Sequence, residues 1–321
     1  MSRPRSTRTG ARRTRLVALG GVLLLSTAGL AACGEDDGSD ASAAGLEAVS
    51  VEGDPGKEPK VTFEEQVSPG DVEAEVITEG DGEELAEGDN AFAHIWMGNG
   101  FTQEKAFSTY DAQSPELLSW ADLGEPFQEA IAGHTVGSRV AVAASAEDTY
   151  GEGGNPQLGI GNKDGIVIVV DLLGKVGTEP TGEEREPAKW APTLVEDGGT
   201  ITGLDFSEAN KPSKNLLDTT LVKGEGPVVE KGQTIAVDYL GQVYDAKKPF
   251  DESYSKQPTS FPIGTGSVVK GWDQALVGQT VGSRVILSIP PELGYGEAGN
   301  EQAGIKGTDT LYFVVDILGA A

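Results

Sequence analysis

VVKGWDQALVGQTVGSRVILSIP, residues 268–290, places a helix and a strand side by side. Val268–Gln279 has the spacing of one short helix. Gly278 supplies its end, because a residue without Cβ enters the left-handed region freely. Ser283–Pro290 then alternates apolar and polar side chains, the period of a strand with one buried face. Part of this stretch occurs twice: TVGSRV stands at Thr135–Val140 and again at Thr280–Val285. Outward from it, Phe127–Gly174 lies over Trp272–Gly319 at an offset of 145, with no gap across 48 positions and 23 identities.

Upstream the offset drifts to 143–144, with EGDGEELAEGD facing KGEGPVVEKGQ. A period this long means duplicated domains, since solenoid repeats run about 20–50 residues. Strands dominate each copy. Gln233–Tyr244 alternates, and Asp309–Leu318 is rich in β-branched and aromatic residues. Many strands and one short helix predict an α+β fold: two similar domains, each an antiparallel sheet wrapped around one short helix.

The N-terminus reads as a leader. Arg3, Arg5, Arg8, Arg12, Arg13 and Arg15 precede an apolar run, Leu16–Leu30, that ends in small residues. The run is short for a transmembrane helix, which needs about 20 apolar residues. LAAC, Leu30–Cys33, resembles the lipobox of bacterial lipoproteins, whose cysteine is lipidated on its thiol and becomes the new N-terminus. Cys33 is the only cysteine, so a disulfide framework and a thiolate metal site are both excluded. His94 and His134 are not in a metal-ligand spacing. A net charge of −27 argues against binding nucleic acid through its phosphates.

The expected organisation is therefore a lipoprotein signal peptide at 1–32, a flexible acidic tether at 33–57 and a first domain at 58–176. A linker and leading segment at 177–213 and a second domain at 214–321 complete it. The expected location is the extracytoplasmic face of the bacterial cell membrane, with membrane contact through the lipid anchor alone.

In the second copy VDYLG, FDES, VVKGWDQAL, VGSRV, PPELGYGEAG and LYFVVDIL follow one another over Leu216–Leu318. In order and spacing they resemble the FKBP-type peptidyl-prolyl isomerases, the macrolide-binding immunophilins. The resemblance implies cis/trans rotation about Xaa-Pro bonds, without cofactor or metal. It implies proline-containing exported polypeptides as substrates and macrolide inhibitors as ligands. Carried over by position, Trp272 is the floor of a proline-binding cup, with Tyr239, Phe250 and Phe313 as aromatic walls. Val268 and Val269 line it, and the Val269 N–H would bind a substrate carbonyl. Asp251 is the polar group beside the rotating amide, Tyr295 a rim hydroxyl, and Ile305 part of an overhanging loop. Tyr239, Asp251, Trp272 and Phe313 are thus the expected catalytic set. Thr259 stands where the family commonly has an aromatic, and Asn300 where a histidine is common. Lys256 is the nearest basic residue to the place of the aspartate's usual partner.

The first copy departs from this set. Ile95 replaces Tyr239, Ser108 replaces Asp251, Phe127 replaces Trp272 and Ile168 replaces Phe313, while Phe107 and Tyr150 remain. Leu123 and Gly124 face Val268 and Val269. TVGSRV is therefore expected to be a signature of the fold and not of a shared active site. The rival reading is a non-catalytic chaperone or peptide-binding module at the cell surface.

Overall fold

The structure is a computed structural model that describes residues 45–68 and 71–321; the leader, the lipobox and Cys33 lie outside the described residues. β1 (Val49–Glu52) and β2 (Lys60–Phe63) pair as a hairpin. The first sheet comprises β3 (Glu73–Thr78), β4 (Asn90–Asn99), β5 (Glu104–Ser108), β6 (Glu116–Leu118), β7 (Arg139–Ser145) and β8 (Gly165–Val176). α1 (Glu125–Glu129) and α2 (Ala146–Tyr150) flank β7. β9 (Gly182–Glu184) leads to a second hairpin, β10 (Thr193–Asp197) with β11 (Thr200–Asp205). The second sheet comprises β12 (Leu217–Gly224), β13 (Thr234–Val243), β14 (Asp251–Glu252), β15 (Thr259–Pro262), β16 (Arg284–Ile289) and β17 (Leu311–Ala320), with α3 (Lys270–Ala275) between β15 and β16.

The strand orders match. The first sheet runs β3-β7-β8-β4-β5 with β6 also on β4; the second runs β14-β13-β17-β16-β12-β9 with β15 also on β13. Every pairing is antiparallel. The α+β expectation of two such domains holds. α3 is shorter than the Val268–Gln279 helix expected from spacing. Gly278, at φ +92°, turns its N–H to the Val229 carbonyl at 2.9 Å, which pulls the chain off the helix axis.

The repeated hexapeptide does the same work in both places. Thr135 and Thr280 hydroxyls donate to the carbonyls of Gly80 and Gly224, at 2.9 and 2.7 Å. Ser138 and Ser283 hydroxyls accept the N–H of the same two glycines, both at 2.9 Å. Gly137 and Gly282, at φ +93° and +88°, make the turn that a residue with a Cβ would strain. Arg139 and Arg284 pair with Asp171 and Asp316 across the neighbouring strand, at 2.7 and 2.6 Å.

Two expected connectors are folded. Each sheet is apolar on both faces, so its strands need cover twice. One face of the second sheet packs on α3. The other, with Leu240, Ile286, Tyr312 and Val314, is buried under Ile201, Leu204 and Phe206 of the β10–β11 hairpin and the residue after it. The 177–213 segment is therefore an integral layer rather than a linker. Its β9 adds a strand to β12, and Gly177 donates to the Leu318 carbonyl at 2.8 Å. Phe92, Val176, Ala236 and Leu318 join the two domains in one small core.

The tether expected to reach residue 57 likewise gives way to structure from Leu46 on. β1 and β2 cover Trp96, Ala143, Val167 and Val169 of the first sheet. The turn between them seals the fully buried Arg139, which donates to the carbonyls of Gly53 at 2.9 Å and Lys57 at 2.5 Å. Those acceptors, with Asp171, give a buried guanidinium the partners it requires.

Candidate active site

β13, β17, α3 and the turns leading into β14 and α3 bring one set of side chains together. Period-2 alternation sends Tyr239 of β13 to the inner face, where Phe313 of β17 and Trp272 of α3 also point. The rings form a box of edge-to-face contacts. Trp272 lies 5.4 Å from Tyr239, 5.4 Å from Phe261 and 5.3 Å from Phe313, at interplanar angles of 87°, 82° and 82°. Phe250 meets Phe313 at 5.6 Å and 87°. Such packing satisfies the ring quadrupoles and holds the rings rigidly around the hollow. The cavity measures about 550 Å³ and is lined by these rings with Asp251, Gly266–Lys270, Gly294 and Tyr295.

The polar groups sit at the rim. Tyr239 Oη donates to Asp251 Oδ2 at 2.5 Å, and the Glu252 N–H donates to Asp251 Oδ1 at 3.0 Å. Burial, and next the hydrogen bond to Asp251, hold the Tyr239 hydroxyl above its ordinary pKa, so it stays a donor. Asp273 accepts from the N–H groups of Gly264 at 2.6 Å and Gly266 at 2.9 Å, fixing the loop before Val268 and Val269. Tyr295 is 39% exposed at the mouth.

Of the expected site residues, Tyr239, Phe250, Asp251, Val268, Val269, Trp272, Tyr295 and Phe313 all border the cavity. Ile305 does not. It is buried in the core under its loop, where Asn300 and Ile305 bridge backbone to backbone. Lys256 reaches Glu252, at 3.7 Å, and not Asp251. Two contributors escaped the sequence reading. Phe261 supplies the aromatic sought at Thr259; both lie on β15, two residues apart, and the alternation that equates their faces was the available signal. Gly241 is the other. A Cβ there would meet the Phe250 and Phe313 rings at 2.6 Å, so the open cup requires glycine.

The first domain shows the converse. Met97 faces Ile168 on β8 as Gly241 faces Phe313 on β17. Its side chain fills the space, 3% exposed, with the Tyr150 hydroxyl donating to Sδ at 2.9 Å. Leu118 takes the register of Phe261, and Ile95 and Ile168 close the rest. A larger hollow, about 750 Å³, lies where the domains meet; its wall mixes glycines and aliphatic side chains with Glu83, Asp89, Lys175 and Glu179, without an aromatic ring.

An aromatic box with a carboxylate at its edge suits rotation about a tertiary amide. The barrier, about 18–20 kcal/mol, is loss of amide resonance. A dry cup that grips the proline ring favours the twisted, less polar amide over the planar one, and polar groups at the rim hold the flanking main chain. No bond is made or broken, so no nucleophile is needed.

The family described as FKBP-type peptidyl-prolyl cis-trans isomerase matches residues 226–318. The FK506-binding protein of Streptomyces anulatus is 38% identical over 116 residues, 36% of this chain and 93% of that protein. Peptidyl-prolyl cis-trans isomerase FKBP13, chloroplastic, of Arabidopsis thaliana is 40% identical over 142 residues, 40% of this chain and 66% of that protein. The crystal structure of AtFKBP13 is 37% identical, covering 33% of this chain and 93% of that one, at a TM-score of 0.31. With the motif residues gathered around one cup, and with a relative of this identity spanned over nearly its whole length, the chain belongs to the FKBP-type peptidyl-prolyl cis-trans isomerases.

Proposed function

We propose that turnover resides in the C-terminal domain, that the N-terminal domain is inactive, and that the substrates are proline-containing polypeptides exported from the cell. The single observation behind this reading is the contrast within one chain. The same fold occurs twice, once with the cup held open by Gly241 and once with it plugged by Met97. The N-terminal copy also lacks the carboxylate: β5 sets Phe107 opposite Met97 where β14 sets Asp251 opposite Gly241, so Phe107 and not the expected Ser108 stands at that register, and Phe127 replaces the indole. It serves as a scaffold that docks on the catalytic domain through Phe92 and Val176. A macrolide of the kind named for the Streptomyces relative would occupy the C-terminal cup and compete with substrate.

A protease-coupled proline-peptide assay on the chain lacking its leader tests the assignment. Asp251→Ala removes a hydrogen-bonded carboxylate, an interaction of about 1.5–3 kcal/mol, so kcat/KM is expected to fall about ten- to a hundredfold. Near-UV circular dichroism should stay native. Unchanged activity in a natively folded variant would show that the carboxylate has no part in turnover.

The lipobox resemblance of Leu30–Cys33 supports a lipid-anchored protein on the outer face of the membrane. Cys33→Ala is then expected to move the protein from the membrane fraction to the secreted one. A single acyl chain holds only weakly, so the anchor would carry more than one. Membrane retention of the alanine variant would refute the anchor.

A further inference from the structure

We propose that Gln242 is a positioning residue for the isomerase reaction: through its amide the β10–β11 hairpin braces the turn that presents Phe250 and Asp251 to the cup. The inference rests on the reading that the C-terminal cup turns over.

Gln242 follows Gly241 on β13 and faces the opposite side of the sheet, where it is 2% exposed. Its Oε1 accepts the Leu204 N–H at 3.0 Å. Its Nε2 donates to the Leu204 carbonyl at 3.0 Å and to the Ala246 carbonyl at 2.8 Å. The amide orientation follows from the partners. Rotating it by half a turn would set a donor against a donor and an acceptor against two acceptors. One side chain therefore ties three things together: a cup-bearing strand, the hairpin layer outside the family-matched residues, and the turn after β13.

That turn is the one the cup depends on. It contains Asp245 at φ +58°, a conformation that costs a residue with a Cβ and persists only where the surroundings hold it. A few residues on, the Phe250 N–H returns to the Gly241 carbonyl at 2.9 Å, and Asp251 pairs with Gly241 in register. The Ala246 carbonyl is thus a fixed point between β13 and the two residues that wall and polarise the cup. The N-terminal domain has Gly98 at the register of Gln242, with the Trp96 and Phe63 rings crowding the position and no side chain to form a brace. The brace is present in the copy that keeps the cup and absent from the copy that has lost it.

The test is a double-mutant cycle on the chain lacking its leader. Gln242→Met keeps the length of the side chain and removes every hydrogen bond. Gln242→Glu keeps the acceptor for Leu204 and removes both donors. Kinetics are measured below the thermal transition of each variant. A positioning role predicts that Gln242→Met and Gln242→Glu each lower kcat/KM about tenfold or more, chiefly in kcat. It predicts further that Gln242→Met adds under twofold once Asp251 is alanine, because the two act through one turn. If the methionine variant fails to fold, the glutamate variant carries the same cycle. Activity within twofold of the parent overturns the proposal. So does an equal fold-loss in both backgrounds, the mark of general destabilisation. An inactive parent chain would overturn the functional reading beneath it, a separately recognisable result.

Discussion

Replacing Gly241 by methionine is expected to abolish measurable isomerase turnover while the sheet survives. The substitution copies into the second domain what Met97 does in the first. The new Cβ alone would meet the Phe250 and Phe313 rings at 2.6 Å, and the thioether beyond it would occupy the cup. Strand backbone tolerates methionine better than glycine, and Gly241 is not among the residues with positive φ, so the cost falls on the walls and not on the chain path. Overpacking of this kind costs about 1–3 kcal/mol where side chains can shift. Here the shift removes the surface that distinguishes the twisted amide from the planar one. A loss of about 3 kcal/mol of that distinction is more than a hundredfold in kcat/KM. Macrolide binding, followed by tryptophan fluorescence of Trp272, should disappear with it. Activity within threefold of the parent would show that the open cup is not where catalysis occurs. The reciprocal change, Met97→Gly, should create a hollow without activity, since Phe107 and Phe127 remain at the places of the carboxylate and the indole.

The second large effect is on the stability of the C-terminal domain and depends on where that domain begins. A fragment cut at residue 214 is expected to lose cooperative folding, whereas one cut at 178 keeps it. The shorter piece lacks the β10–β11 hairpin and lays bare Leu240, Ile286, Tyr312 and Val314, each no more than 1% exposed in the whole chain. Burial of such side chains is worth about 1.5–3 kcal/mol apiece, an upper estimate because the unfolded chain is itself partly collapsed. Four of them together rival the whole stability of a typical domain, about 5–15 kcal/mol. The shorter fragment also strips Gln242 of both its bonds to Leu204, leaving only the one to the Ala246 carbonyl. Urea unfolding followed by circular dichroism, with dye binding to exposed apolar surface, separates the two cases. Equal midpoints for both fragments would mean that the hairpin is an ornament and that the sheet stands without it.

The inner half of each domain was legible in the sequence. The gapless repeat, the strand alternation and the glycine after α3 fix which residues face the helix, because those signals are local and periodic. TVGSRV was correctly a mark of the fold: its Thr, Gly, Ser and Arg each close a contact within the sheet. All the aromatic positions of the cup but Phe261 followed from the resemblance in motif order, since each sits at a set place on a strand, a turn or the helix.

What covers the outer faces was not legible. Alternation states that a side chain leaves the sheet on a given side, but not what it meets there. TLVEDGGTITGLDF (Thr193–Phe206) is short, acidic and rich in glycine, and reads as a connector until Ile201, Leu204 and Phe206 are seen against Tyr312 and Val314. The turn at 53–57 reads as tether until its carbonyls are found on Arg139. The same limit hid Gly241 and Met97. A residue that matters by the volume it leaves or takes shows its role only once the rings around it have positions. Sequence alone determined the duplicated scaffold and, through the resemblance, most of the residues of one cup. The tertiary structure decided that one cup is open and the other filled, because that depends on contacts between strands and turns distant in the chain.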